Sequence, residues 1–359
     1  MTVRLMQTLI AAIRYLCRQR KASDDAPKGG VLVMQPLPGI GDMVWHIPHV
    51  HALAAAQGPL TVLTKARSQA GDLLVADSSV KRLIFLQRPG RHEGVIGSLR
   101  LAWELRQECF SSAWLFHGSV RYACLLLLAG IPLVHGYGRG GQRYLLNGVM
   151  LPVEHLRDHP VAKADLLLRR AGITLSKDDV LMTVAPAEQK RVQQDYGHLL
   201  QPWIALGIGS SESRKQWGEQ NFVRLVCSLR EQTKATVFLL GGPAEQSLGK
   251  AIAEHSQRLI GYAPWQPQRS IAHTAAILRR CQLYIGNDTG ALNMAAALGV
   301  PCIGLFGASS PLQHSDLIQA LTSPNGQGMA GITPAQVTQI ALIKLRHKQR
   351  QYLARQCNS

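Results

Sequence analysis

In the second half of the chain, short continuous apolar runs alternate with segments whose apolar residues recur at the helical period. Residues 203–208, 236–240, 283–285 and 302–306 are such runs, bounded by glycine or polar residues, and each is predicted to be a strand. Phe222, Leu225, Val226 and Leu229 fall on one face at 3.6 residues per turn and predict a helix over 222–229. An Ala-rich segment after Gly290, closed by Gly299 and Pro301, predicts another. Strands alternating with helices imply a parallel sheet, in which ligands bind at the carboxyl ends of the strands. The loops after 203–208, 236–240 and 283–285 all lie at such ends and can converge on one ligand.

The turn in residues 286–290 (Gly-Asn-Asp-Thr-Gly) holds the most information. A strand, a polar glycine turn and a helix N-terminus together make an anion site, because amide N–H groups and the positive end of the helix dipole point outward. The plainer alternative is an ordinary helix capped by Asp288 or Thr289. In the first half, a strand near Val31 leads into Gly39-Ile40-Gly41-Asp42, where the glycines permit close approach of a ligand. Asp42 is expected at the tip of that loop, where its plainest role is the cap of a helix from Met43.

Length and composition narrow the class. A chain of 359 residues predicts two domains, and 46% hydrophobic against 17% charged residues describes a soluble globular protein with ample core. The apolar run 125–128 lies between Arg121 and His135 and is too short to span a bilayer. Seven scattered cysteines without a Cys-x-x-Cys pair indicate neither a zinc site nor a disulfide scaffold, which fits reduced cytoplasmic thiols.

The net charge is +17, so an anionic partner is expected: nucleic acid, membrane or a phosphorylated substrate. No nucleic-acid motif occurs, and 6% aromatic residues disfavour a base-stacking platform. Residues 1–21 lack a small-residue cleavage site, and Arg14 interrupts their apolar stretch, so they do not read as a signal peptide. Leu5, Met6, Leu9, Ile10, Ile13, Leu16 and Cys17 share one helical face, while Arg4, Arg14, Arg18 and Lys21 share the opposite one. Such a helix either lies on an anionic membrane surface or packs on the protein itself. The tail from 341, with Lys344, Arg346, Lys348, Arg350 and Arg355, extends the basic surface or is simply solvated.

These motifs, taken in order, resemble glycosyltransferase family 9, the bacterial ADP-heptose:lipopolysaccharide heptosyltransferases. The resemblance spans roughly residues 30–340. It rests on Gly39-Ile40-Gly41-Asp42 with Pro48; Ser119-Val120-Arg121 with residues 128–132 and Gly136-Tyr137; His159-Pro160-Val161 with 166–173; Lys215-Gln216-Trp217 before Phe222; Gly241-Gly242-Pro243-Ala244-Glu245; and Asp288-Thr289-Gly290. It implies an α/β fold of GT-B architecture, two Rossmann-like domains with parallel sheets facing across a cleft. The boundaries are a basic helix and linker over 1–28, an acceptor domain over 29–185, a nucleotide-sugar domain over 186–340 and a basic tail over 341–359.

The implied reaction is an inverting sugar transfer, with ADP-heptose as the expected donor and an anionic lipid-linked saccharide as acceptor. It would take place on the cytoplasmic, inner face of the inner membrane. Asp42 would be the catalytic base, and burial in a cleft would raise its pKa. Lys215 is read as the diphosphate clamp, a mobile point charge, or as a solvated lysine. Ser210 and Ser211 can donate hydroxyl hydrogen bonds to phosphate, and the amides of Thr289 and Gly290 can add dipoles. Glu245 would accept from the ribose hydroxyls or stabilise a first helical turn, and Asp288 would hold donor hydroxyls or order its turn. No Asp-x-Asp pair occurs, so neither a catalytic metal nor a cofactor is implied.

Two positions depart from the family pattern. Asn293 stands where histidine is usual, and Gln35-Pro36-Leu37-Pro38 replaces a basic residue ahead of the Gly-Asp loop. With Gly41 beside the base, Arg121, Arg139 and Arg143 are the candidates to supply charge on the acceptor side. His46, His49 and His51 offer too few ligands for a metal, so packing is expected there. A nucleotide-sugar epimerase or hydrolase, and a non-catalytic membrane-surface binding protein, are the rival classes.

Overall fold

The computed structural model describes residues 29–176, 180–210, 212–260, 270–309, 311, 315–324 and 326–357, with the backbone alone at 257–260 and 348–357. The expected basic helix over 1–28 and the candidate Ser211 lie outside the described residues. The chain divides into two compact units, Met1–Asp178 and Asp179–Ser359.

The first unit runs β1 (Gly29–Met34), α1 (Ile40–Gln57), β2 (Leu60–Thr64), α2 (Ala70–Leu73), β3 (Val80–Phe85), α3 (Gly94–Gln107), β4 (Phe110–Leu115), α4 (Val120–Leu128), β5 (Leu133–Gly136) and α5 (Pro160–Arg170). Its five strands pair in the order β3-β2-β1-β4-β5, all parallel, with Val33 opposite both Val62 and Trp114. Strand order reverses between β1 and β4, which leaves the loops after these two strands to diverge and open a crevice. Leu32, Met34, Leu63, Ala113 and Leu115 are buried, and Leu101, Leu105, Leu125 and Leu126 of α3 and α4 close over them. Leu125, Leu126 and Leu127 of the leucine run thus serve as packing while Leu128 is exposed, and no helix among the described residues is long and apolar enough to cross a membrane.

The second unit runs α6 (Pro186–Tyr196), β6 (Trp203–Gly207), α7 (Glu219–Thr233), β7 (Thr236–Leu240), α8 (Gln246–Ile260), α9 (Ile271–Arg280), β8 (Leu283–Asn287), α10 (Gly290–Ala297), β9 (Cys302–Phe306), β10 (Ile318–Thr322) and α11 (Pro334–Cys357). The strands pair in parallel in the order β10-β9-β8-β6-β7, with the reversal between β6 and β8. Strands β6, β8 and β9 are buried at every residue, which is why they appear in the sequence as unbroken apolar runs. Phe222, Leu225, Val226 and Leu229 of α7 form the buried face that their spacing predicts.

Both units therefore have the α/β, Rossmann-like form expected. Three details differ. Strand β10 is partly buried only at Ile318 and Leu321, is exposed elsewhere at a sheet edge, and carries no clear apolar run. Helix α11 continues through residue 340, so the segment expected as a tail from 341 is helical as far as Cys357. The division between units falls at 178/179 rather than at 185/186.

Candidate functional site

In the second unit, the loops at the carboxyl ends of β6, β7 and β8 meet through their side chains. Lys215 closes a short 3-10 turn, Ser213–Lys215. Its Nζ donates to Asp288 Oδ2 at 2.9 Å and lies 3.3 Å from Glu212 Oε1. Partial burial works against the lysine's charge, but the Asp288 contact and then Glu212 outweigh it, and the pKa of Lys215 is raised. Asp288 also accepts from Ser309 Oγ at 2.8 Å, which brings the loop after β9 into the same cluster. The reading of Asp288 as a residue that orders its turn describes these contacts.

Asn287 is fully buried, and its Nδ2 donates to the carbonyls of Ile208 and Gly209 and to Gln216 Oε1, tying the β8 turn to the β6 loop. Glu245 accepts from the Gly242 N–H at 2.8 Å, and a Cβ built on Gly209 would lie 3.5 Å from its Oε2. Its carboxylate thus caps its own short turn while leaning over the β6 loop. Thr289 is the N-cap of α10 in extended conformation and makes no side-chain capping bond. Gly290 begins that helix, and Asn293, buried one turn later, donates from Nδ2 to the Thr289 carbonyl at 3.4 Å. Ser210 Oγ donates to the Glu212 carbonyl at 2.7 Å, so here it shapes the loop that carries Lys215.

The glycines at the floor of this site are required by space. Gly207 and Gly286 face each other in the β6–β8 register, and a Cβ on Gly207 would lie 1.7 Å from the Tyr284 hydroxyl oxygen.

In the first unit, Asp42 is in the first turn of α1, not at the tip of a loop. Gly39 occupies the N-cap, and the Asp42 carboxylate accepts its N–H at 3.0 Å. The helix begins ahead of the expected position because a glycine, with no side chain to signal it, takes the cap. Burial raises the Asp42 pKa, opposed first by the Gly39 hydrogen bond and then by nearby His159. His46, buried beneath, is held at a pKa of about 3, by burial first and then by His49. Its neutral ring donates from Nδ1 to the Asp42 carbonyl at 2.7 Å. His49 Nε2 meets Asp165 Oδ1 at 2.7 Å, and both imidazoles pack against Phe116. Packing is the role expected for these histidines, and His51 instead pairs with Asp77.

Beside the start of α1, a cavity of about 500 Å³ opens between the loops after β1 and β4. Leu37, Phe116, Ser119 and Tyr137 are among its lining residues, and His117, Arg139 and Lys163 supply its basic groups. Burial and the surrounding cations Lys65, Lys163 and Arg139 lower the His117 pKa. For Lys163 the lowering comes from burial and then Arg139. Of the three arginines singled out in the sequence, Arg139 lines the cavity. Arg121 instead donates to the Gly94 carbonyl and Ser98 Oγ, and Arg143 is exposed outside the lining.

Residues 98–327 match the description of glycosyltransferase family 9 (heptosyltransferase). The chain belongs to glycosyltransferase family 9. Two curated relatives, lipopolysaccharide heptosyltransferase 2 of Salmonella typhimurium (strain LT2) and of Escherichia coli (strain K12), are each 24% identical over 224 residues, 59% of this chain. The match spans 64% of those relatives' length. A family 9 glycosyl transferase from Veillonella parvula superposes with a TM-score of 0.77 at 18% identity, covering 90% of this chain and 99% of that one. E. coli ADP-heptose lipopolysaccharide heptosyltransferase II gives 0.71 at 20% identity, covering 89% and 99%. These likenesses show a shared fold.

Within this family 9 chain, the sequence reading gives no site role to His117, His159, Lys163, Asn287 or Ser309. His159 does open the 159–161 motif that carries part of the resemblance, Lys163 lies between that motif and 166–173, and Asn287 lies inside the 286–290 turn. His117 and Ser309 have no comparable signal, since each is one polar residue beyond a strand end.

Proposed function

We propose that this family 9 protein is an inverting glycosyltransferase that moves a heptose from ADP-heptose to an anionic, lipid-linked lipopolysaccharide core saccharide. The observation that carries the acceptor side is the cation-lined cavity between the loops after β1 and β4. Arg139 and Lys163 on its wall suit a sugar bearing phosphate or carboxylate, and His117, whose pKa is lowered, offers a neutral ring beside them. Asp42 is not one of the lining residues, but its charge is felt by His159, which precedes Pro160 of the lining, and burial raises the Asp42 pKa, which suits a general base. Asp42 takes the proton of the acceptor hydroxyl as that oxygen attacks the anomeric carbon. The bond from that carbon to the diphosphate breaks, and ADP leaves.

In the second unit, Lys215 meets the charge developing on the diphosphate, with the amides of Thr289 and Gly290 adding dipoles. Glu245 accepts from the ribose, and Ser210, Asp288 and Asn293 order the surrounding loops. The relatives' names support the choice of sugar: they describe lipopolysaccharide heptosyltransferases, and one solved E. coli heptosyltransferase holds ADP-2-deoxy-2-fluoro heptose. Work at the inner face of the inner membrane follows from a lipid-linked acceptor.

The test is ADP release from ADP-heptose with and without a lipopolysaccharide core acceptor. Release that depends on the acceptor, with heptose appearing on it, is the expected result. Turnover of donor alone would make the protein a hydrolase or epimerase. Binding without turnover would favour the non-catalytic reading.

A further inference from the structure

Helix α3 is apolar on two sides. Gly97, Leu101, Ala102 and Leu105 face the core. Val95, Ile96, Leu99 and Trp103 recur at intervals of three and four on the opposite side and are exposed, Ile96 at 78% and Trp103 at 63%. Scattered exposed apolar residues are ordinary, but four on one helical stripe with a tryptophan at its end form a patch that marks an interaction site.

The surroundings of the stripe are basic. Arg100 is exposed on the next flank of the helix, and Arg106 is on the other. The loop before α3 folds tightly back over Gly97, where any Cβ would meet His92 backbone at 2.4 Å; its Arg91 is exposed, while Arg88 is half-buried and donates to the His92 carbonyl and to Ser98 Oγ. Of the three acids on or beside the helix, Glu104 is held by Arg91 at 2.6 Å and by His92 at 3.2 Å, Glu108 at the C-cap pairs with Arg82, and Glu93 accepts the Gly90 N–H. The patch also continues to the cavity between the loops after β1 and β4. Arg121, at the start of α4, reaches the Gly94 carbonyl and Ser98 Oγ of α3, and its neighbour Val120 lines the cavity while 40% exposed.

We infer that the outer face of α3 docks on an anionic phospholipid bilayer, with Ile96, Leu99 and Trp103 entering the interface and the arginines on its headgroups. An apolar stripe between arginines matches the layering of an anionic leaflet, and tryptophan favours the headgroup boundary. The cavity at the end of this face would then open next to the lipid that carries the acceptor, a consequence that rests on the proposed function.

The experiment is flotation of the full-length protein with vesicles of phosphatidylcholine alone and of phosphatidylcholine with phosphatidylglycerol. Wild type is expected to float with the anionic vesicles. The double variant Ile96→Ser/Trp103→Ser should lose at least about tenfold in partitioning, with an unchanged melting temperature, while Val75→Ser, exposed elsewhere, should behave as wild type. Equal flotation of wild type and the double variant would overturn the inference, because another segment would then be the anchor. So would absence of wild-type flotation, or a wild-type dimer in sedimentation that the double variant dissociates, since a second copy would then cover the face. Turnover of a lipid-free core saccharide separates this from the proposed function. The double variant should retain it and lose only turnover of vesicle-embedded acceptor. If wild type fails with both acceptors yet floats, the proposed function falls and the docking face stands.

Discussion

The Lys215 ammonium stands 2.9 Å from the Asp288 carboxylate, joining the loop after β6 to the loop after β8 at the place where strand order in the second sheet reverses. Asp288 and Glu212 outweigh the lysine's partial burial and raise its pKa, so a charged ammonium is held between the two loops. Most of the other loop contacts (Asn287 to the β6 carbonyls, Ser309 to Asp288) restrain that arrangement rather than add charge.

Asp42→Asn should keep the fold, since an amide oxygen still accepts the Gly39 N–H. It should lower kcat about 10²- to 10⁴-fold, the usual contribution of a general base. In the wild type the acid limb of kcat/KM should fall above the ordinary aspartate value of about 3.9, because burial raises the Asp42 pKa. A limb at or below that value would remove Asp42 as the base.

The same shift has a consequence for stability. A carboxylate with a raised folded-state pKa holds its proton more tightly in the folded than in the unfolded protein. Stability therefore falls as pH rises from the unfolded value through the folded one, and the ionised group is unfavourable at neutral pH. Asp42→Asn should accordingly raise the melting temperature at pH 7, with the gain disappearing below the unfolded pKa. Melting curves across that range check the sign.

Lys163→Ala and Arg139→Ala should each raise the acceptor KM by about 10- to 100-fold, the range for a hydrogen bond to a charged group, and leave the donor KM unchanged. Steady-state kinetics with each substrate varied in turn would show it. A rise in donor KM instead would move the cavity from the acceptor to the donor.

Gly207→Ala should destabilise the second unit by about 1–3 kcal/mol or more, the scale of overpacking in a tight core, because its Cβ would overlap the Tyr284 hydroxyl. Denaturant unfolding of the variant is the check. Wild-type stability would show that the two strands can part at the floor of the site.

Sequence pattern located the elements that are buried on both faces. Strands β7 and β9 end at the residues where their apolar runs end, because nothing in a two-sided parallel strand interrupts the run. Edge strand β10, exposed at three of its five residues, has no such signature. Helix α1 was harder to start correctly because its cap is Gly39, and the acid that marks it, Asp42, sits inside the first turn. The Lys215 and Asp288 positions were visible in motifs, but their pairing spans 73 residues and is made only by the sheet order. The acceptor-side cations illustrate the same limit. Arg121, Arg139 and Arg143 look alike in the sequence, and only the path of the chain after β5 turns Arg139 into the cavity wall beside Lys163.

Calorimetric titration of ADP, UDP and GDP into wild type and Lys215→Ala tests the donor assignment most directly. ADP should bind in preference to the other two, and the variant should lose about 10- to 100-fold in affinity, the range for a charge-assisted hydrogen bond, while its melting temperature changes little, as for an exposed or half-buried ion pair. Preferential binding of UDP or GDP, or ADP affinity indifferent to Lys215, would contradict an ADP-sugar donor held by this lysine.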